Sequence, residues 1–172
     1  MKTPLVRVRL VSFPLDAAAR QGRFGHARPC PGHEGLRGPA TGEWAGLTLD
    51  EVAGRDPAAV HAWLTDPAYA PPGGESLDTL IARVGAELAG LAEGTHRVVV
   101  EQAVVRAAVV HALELPAAAF WRLDVRPESV TTLTGRAGRW NLLVGQPQDE
   151  QPQDGQPQDG QPTVGQPQGG QP

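Results

Sequence analysis

The hydrophobic positions of this chain change their period along its length, and the periods predict strands and helices in alternation. Residues 6–11 (VRVRLV) alternate between apolar and polar side chains, which is typical of a strand with one buried face. Residues 97–100 (RVVV) form a short, nearly all-apolar run, which is typical of a buried parallel strand. Helical spacing follows at 49–53, 57–64, 77–91 and 103–113. The pattern therefore predicts an α/β domain.

Residues at the ends of these segments predict where the helices begin and end. Thr48 can cap the first helix, and Asp56 with Pro57 at the first helical position can open the second. Ser76 can cap the longest helix, which Gly94 is predicted to end. Polar caps and glycine stops thus divide the middle of the chain into separate elements.

The C-terminal part divides into a hairpin and a repeat. Residues 129–134 and 139–144 alternate as strands, and 135–138 (GRAG) is typical of a hairpin turn. From residue 145 the chain repeats five-residue units such as QPQDG, with almost no apolar side chains. Such a segment cannot bury enough surface to offset its conformational entropy. The sequence predicts one domain over 1–144 and a disordered Gln/Pro-rich tail over 145–172.

Composition narrows the partners and the compartment. The 172 residues are 40% hydrophobic with a net charge of -4, enough for one core and without the basic surplus of a nucleic-acid-binding surface. Pro4 and Arg7 interrupt the N-terminal apolar run, and no stretch is long enough to span a bilayer. We therefore expect a cytoplasmic protein with no nucleic-acid or membrane partner.

Three potential metal ligands lie in one Gly- and Pro-rich stretch. They are His26, Cys30 and His33, and Cys30 is the single cysteine of the chain, so it cannot form an internal disulfide. Structural zinc sites need four well-spaced ligands, and the C-x-x-C pair is missing here. We predict no metal and no cofactor, and keep these three residues only as a weak metal candidate beside the favoured interpretation of a solvated loop.

Two longer segments carry a family resemblance. GEWAGLTLDEVAGRDPAAVHAWLTDPAYAPPGGES at 42–76 and RVVVEQAVVRAAVVHAL at 97–113 resemble the histidine phosphatase (phosphoglycerate-mutase-like) superfamily. The similarity is greatest to small bacterial members described as phosphoglycerate mutase or cobalamin-pathway α-ribazole phosphatase. The resemblance implies a three-layer α/β sandwich with a mostly parallel sheet flanked by helices. The short connection before residue 42 implies that a peripheral strand-helix unit, and a phosphate-binding Arg with it, is missing.

The residues at the family's chemical positions differ from the family pattern. The Arg-His pair after the first strand is replaced by Ser12 and Phe13, and the second His by Glu101, in a register fixed by the match of 103–106 (AVVR) to A-V-I-R. The catalytic Glu position, six residues before the family's Trp, holds Gly38. Phenylalanine is no nucleophile, and a carboxylate repels a phosphate dianion. The resemblance therefore implies the fold without the phosphotransfer groups.

Three hypotheses on function follow. The first is a pseudoenzyme with a binding or regulatory role, whose cleft contains Ser12, Phe13, Glu75 and Glu101 and takes a neutral or cationic ligand or a protein partner. The second is a phosphatase-like enzyme with altered chemistry, in which Glu101 has a raised pKa and acts as acid or base. A second polar group converging on Glu101 would favour it. The third is a protein with no selected role.

Other features have alternative interpretations. An exposed sheet edge predicts a homodimer as one partner arrangement. Four loop arginines could gather near the cleft, although solvated arginines are favoured: Arg20, Arg23, Arg28 and Arg37. Five aromatic residues are interpreted as core: Trp44, Trp63, Phe120, Trp121 and Trp140. Three histidines without a partnered nucleophile are interpreted as structural or surface residues: His61, His96 and His111.

Overall fold

The computed structural model describes residues 5–145, so the predicted tail from 146 onward lies outside the described residues. Four strands are present there: β1 (Leu5–Ser12), β2 (Gly94–Val100), β3 (Val130–Arg136) and β4 (Arg139–Leu143). The α-helices are α1 (Ala17–Arg20), α2 (Leu49–Arg55), α3 (Pro57–Thr65), α4 (Leu77–Gly90) and α5 (Gln102–Ala112). Short 3-10 helices lie at Glu34–Leu36, Gly42–Trp44 and Ala117–Arg122.

The four strands form one mixed sheet in the order β2-β1-β3-β4. β1 pairs in parallel with β2, whereas β3 is antiparallel to both β1 and β4. The α/β class is confirmed, but the prediction of a mostly parallel sheet is wrong. The hairpin accounts for the antiparallel β3–β4 pair: Ala137 and Gly138 both have positive φ (51° and 78°), as in the tight turns that return a chain antiparallel to itself.

The sheet has one apolar face and one charged face. Val8, Leu10 and Leu133 are fully buried, and α5 packs on β1, β3 and β4 while α4 packs on α5. On β1 and β2 the opposite face carries Arg7, Arg9 and Arg97, all exposed. The alternation of the first strand therefore sorts its side chains between core and solvent as predicted.

The predicted caps form. The Thr48 hydroxyl accepts from the Glu51 N–H and the Glu51 carboxylate accepts from the Thr48 N–H, a complete capping box. Asp56 and Ser76 cap α3 and α4. The predicted end of α4 is wrong: the helix stops at Gly90, and Gly94, with φ of 128°, begins β2 instead.

The segment between β1 and Trp44 forms little regular structure. Beyond α1 and a 3-10 turn it holds a single isolated β-bridge, between Arg23 and Thr48, and no further strand lies within this described segment. The described segment therefore lacks the strand-helix unit that the sequence predicted to be missing. Trp44 anchors a second apolar cluster with Val52 and Val60. None of the helices in residues 5–145 is long and apolar enough to cross a membrane.

Candidate functional site

The ends of β1 and β2 place Phe13 and Glu101 side by side. Ser12 pairs with Val100 in the parallel register, so the next residue of each strand leaves the sheet at the same edge. The Phe13 N–H donates to the Val100 carbonyl at 2.9 Å, and the Gln102 side-chain amide donates to the Phe13 carbonyl at 3.0 Å. The two positions that the resemblance assigned to histidines are therefore neighbours.

Ser12 does not face the cleft. It is 2% exposed, and its hydroxyl donates to the Arg126 carbonyl at 2.6 Å and accepts from the Ser129 N–H at 3.0 Å. The side chain thereby fixes the loop before β3 to the end of β1. In this structure the Ser12 side chain joins two segments of the backbone, and the ligand contact predicted for Ser12 stays a prediction.

A small cavity lies beside Phe13 and Glu101. Its volume is about 120 Å³, and Asp16, His26 and Arg28 contribute to its walls. The Arg28 guanidinium lies 4.3 Å from the centre of the Phe13 ring and donates to the Asp16 carboxylate at 3.0 Å. We call this cavity the Phe13 cleft. It combines one aromatic face with positive and negative groups.

Two of the four loop arginines reach the Phe13 cleft. Arg28 and Arg23 both line it. Arg37 instead donates to the Glu34 carbonyl, and Arg20 is exposed on α1. No spacing in the sequence singled out Arg28, because the loop that carries it has no periodic pattern.

Burial raises the pKa of Glu101, while the charge of Arg28 and a hydrogen bond from the Arg28 N–H offset part of that effect. Gly38 lies against this carboxyl group: a Cβ at position 38 would overlap the Glu101 carboxyl and would come within 2.9 Å of the Arg28 nitrogen. The Glu101 carboxyl group therefore occupies the space that a side chain at position 38 would need.

Glu75 has different surroundings. It accepts from Arg83 Nε at 2.9 Å, from Arg83 Nη2 at 2.5 Å and from the Ala40 N–H at 3.0 Å. Burial opposes its ionisation, but these hydrogen bonds outweigh burial and lower its pKa. Its acceptor sites bind Arg83 and Ala40, and the ligand contact predicted for Glu75 stays a prediction.

Arg83 is the residue that sequence reasoning missed. Besides binding Glu75, it donates to the carbonyls of Gly35, Arg37 and Gly38 at 2.8, 2.9 and 3.1 Å. It thus holds the loop that presents Gly38 to Glu101. No periodic signal linked it to Glu75, because Glu75 precedes the N-cap Ser76 and lies outside α4.

The three weak metal candidates have separate surroundings. Cys30 is 6% exposed, and burial raises the pKa of its thiol, with Glu87 and Glu34 adding to the effect. His33 Nδ1 lies 3.0 Å from the Glu87 carboxylate, and His26 lines the Phe13 cleft. Within residues 5–145 no three His, Cys, Asp or Glu side chains are grouped so that they could hold a metal ion.

The α/β fold agrees with the family that comparison with known proteins identifies. The profile of the histidine phosphatase superfamily (branch 1) matches residues 17–146, so this chain belongs to that superfamily. The matched region starts after Phe13 and includes Gly38 and Glu101.

Among individual relatives, a bifunctional protein of Mycobacterium tuberculosis is 51% identical over 43 residues. That match covers 25% of this chain and 12% of the relative, so the chain spans only a small part of it.

Solved structures share the fold at low identity. The α-ribazole phosphatase from Shigella flexneri has a TM-score of 0.67 at 16% identity, over 80% of this chain and 95% of that one. A mycobacterial glucosyl-3-phosphoglycerate phosphatase has a TM-score of 0.63 at 20% identity, over 80% and 97%. Bacillus stearothermophilus YhfR has a TM-score of 0.69 at 18% identity, over 80% and 95%. At these identities the similarity establishes the fold.

Proposed function

We propose that this protein is a cytoplasmic member of the histidine phosphatase superfamily that binds a ligand in the Phe13 cleft and does not transfer phosphoryl groups. The observation that carries the proposal is the contact between Glu101 and Gly38 beside Phe13. In the family pattern these three positions hold the second histidine, the acid and the nucleophile. Here one carboxyl group fills the space of two of those side chains, and an aromatic ring replaces the third.

The charges in the Phe13 cleft support a ligand other than a phosphate. Phosphoryl transfer needs cations and N–H donors around the equatorial oxygens. Arg28 is already paired with Asp16, and Glu101 adds a nearby carboxyl group. A dianion would therefore meet almost as much negative as positive charge. Because the positive charge of Arg28 also compensates the carboxyl group of Glu101, we expect the cleft to bind a neutral ligand more tightly than a cation.

The phosphatase activities named for the structural relatives are consequently not the activity that we propose here. Those names describe proteins below 25% identity, and fold alone does not carry chemistry. What the relatives share with this chain is the fold.

A second candidate is an enzyme of altered chemistry with Glu101 as acid or base. The pKa of Glu101, raised by burial, favours it, because a carboxyl group that holds its proton more strongly than usual is suited to act as a general acid. His26 lines the same cleft and is the further titratable group that such a reaction would use.

Turnover assays test the proposal. We expect the purified protein to release only background product from p-nitrophenyl phosphate and 3-phosphoglycerate, with an active phosphatase as positive control. Turnover above about 1 per second, an ordinary enzymatic rate, would contradict it. If Glu101→Gln then abolished that turnover, the enzyme of altered chemistry would replace the non-catalytic protein as the favoured function.

Restoring the two histidines tests the same proposal more strictly than the turnover assay does. We expect the double variant Phe13→His, Glu101→His to form no acid-labile phosphohistidine, because Ser12 remains buried and no arginine takes the missing position. Formation of phosphohistidine would show that Arg28 and Arg23 suffice as phosphate donors.

The predicted homodimer stays a prediction. β2 and β4 are the edges of the sheet, and Val99 and Leu143 are exposed on them at 38% and 53%. Light scattering across a range of protein concentrations would test it, and a monomer at all concentrations would contradict it.

A further inference from the structure

A second and larger cavity lies next to the Phe13 cleft. Its volume is about 260 Å³, and it shares Arg23 and Gly25 with the cleft. Its apolar walls include four aromatic residues: Phe24, Trp63, Phe120 and Trp121. We call it the aromatic cavity.

The aromatic walls are arranged edge to face. The Trp63 and Trp121 rings have centroids 4.6 Å apart at 69°, and the Phe120 and Trp121 rings have centroids 5.0 Å apart at 84°. Such walls offer both ring faces and ring edges to a flat guest. A planar aromatic group is the shape that they accommodate best.

Among the described residues that line this cavity, Arg106 of α5 is the charged residue that forms no ion pair. Its Nε is buried without a hydrogen-bond partner, and its guanidinium carbon lies 5.7 Å from the centre of the Phe120 ring. It takes part in none of the ion pairs found within residues 5–145. A buried donor without a partner is costly, so an acceptor supplied by a ligand would be bound with a clear gain.

The other charged residues of this cavity are already paired. Arg23 donates to the Gly46 carbonyl and to Glu51 at 2.9 and 3.2 Å, and Glu75 is held by Arg83. One unpaired positive charge remains on the wall. A ligand with a single negative charge matches it, whereas a phosphate dianion would lack donors and would approach the Glu75 carboxylate.

We infer that the aromatic cavity binds a small planar aromatic molecule bearing one carboxylate, with the carboxylate accepting from Arg106. The inference goes beyond the proposed function, because the aromatic cavity adjoins the Phe13 cleft and shares only Arg23 and Gly25 with it. It names the ligand class: an aromatic monocarboxylate, with no phosphoryl group.

Calorimetry on the full chain with four probes tests it: indole-3-acetate, indole, tryptamine and phenyl phosphate. We expect indole-3-acetate to bind at least about tenfold more tightly than indole, since a charge-assisted hydrogen bond is worth that much. Tryptamine and phenyl phosphate should bind more weakly than indole-3-acetate. Equal affinity for indole and indole-3-acetate, or no binding of either, would overturn the inference.

Variants assign the effect to Arg106. Arg106→Gln should remove the preference for indole-3-acetate over indole, whereas Arg139→Gln, at an exposed site on β4, should preserve that preference. Trp63→Leu should weaken both probes. A preference that survives Arg106→Gln would overturn the assignment. Because the order of the probes on the unmodified protein needs no variant, a folding defect in Arg106→Gln leaves the test intact.

The outcome is separable from that of the turnover assays. Phosphatase turnover would contradict the non-catalytic proposal without changing the order of the four probes. Conversely, the absence of a carboxylate preference would leave the turnover result as it stands.

Discussion

Glu75 and Glu101 are two partly buried carboxyl groups on either side of one loop, and the protein treats them in opposite ways. Glu75 is surrounded by donors from Arg83 and Ala40, and its pKa is lowered. Glu101 is buried with fewer compensating donors, and its pKa is raised. The comparison teaches that burial alone does not decide the state of a carboxyl group: the donors around it do. The first group holds the loop, and the second remains available for a ligand.

The largest effect should follow from removing Arg83. We expect Arg83→Met to lower the free energy of unfolding by about 3–5 kcal/mol, because it removes both Arg83 hydrogen bonds to the Glu75 carboxylate and those to three carbonyls in a partly buried place. Urea denaturation at pH 7 measures it. Arg55→Met, on the exposed side of α2, is the control and should change stability by less than about 0.5 kcal/mol. An equal effect in both variants would contradict the structural role of Arg83.

The next effect tests the contact between Gly38 and Glu101. We expect Gly38→Ala to cost about 1–3 kcal/mol, because its Cβ overlaps the Glu101 carboxyl and crowds the Arg28 backbone. The cost should fall in a Glu101→Ala background. Gly54→Ala in α2 is the matched control: its Cβ would meet nothing within 4 Å, so it should be neutral or stabilising. Identical costs of Gly38→Ala with and without Glu101 would rule out the contact.

Glu75→Gln should be destabilising by about 1–2 kcal/mol at neutral pH, since it weakens the hydrogen bonds from Arg83. The folded-state pKa of Glu75 lies below its unfolded value, so the ionised group stabilises the fold fully above the unfolded pKa of about 4.3. That stabilisation is lost as the pH falls through the folded pKa. Unfolding followed at pH 7 and near pH 4 should therefore show a shrinking difference from the unmodified protein.

Glu101→Gln should give the smallest effect, and with the opposite sign. The folded-state pKa of Glu101 lies above its unfolded value, so ionisation costs stability as the pH rises from about 4.3 through the folded pKa. We expect the glutamine variant to be more stable by up to about 1 kcal/mol above that range and equal to the unmodified protein below it. A variant that is less stable at pH 8 would show that Glu101 is stabilised as an anion.

Much of the local structure could be predicted from the chain because neighbouring residues produce it. The caps at Thr48, Asp56 and Ser76 depend on atoms within a few residues, and all three form. The hairpin depends on two residues with positive φ and also forms. The adjacency of Phe13 and Glu101 was predicted from the family resemblance and follows from the parallel pairing of β1 with β2.

The site was harder to predict, because its interactions join residues that are distant in sequence. Nothing local tells that Ser12 bonds to the loop at Arg126 and Ser129, or that Arg28 covers Phe13. The unpaired Nε of Arg106 likewise depends on what the rest of the fold fails to place beside it.

The sequence by itself determined the order of the elements, the starts of the helices and the identities of Phe13, Gly38 and Glu101 at the family positions. Only the tertiary structure decided that β3 joins β1 antiparallel, that Glu75 serves Arg83, and that the Glu101 carboxyl fills the space beside Gly38. The physical reason is the sequence separation of the residues that interact. Turns and caps are set by contacts within a few residues, whereas strand order and the pKa of a buried carboxyl group depend on whatever distant segments fold against it.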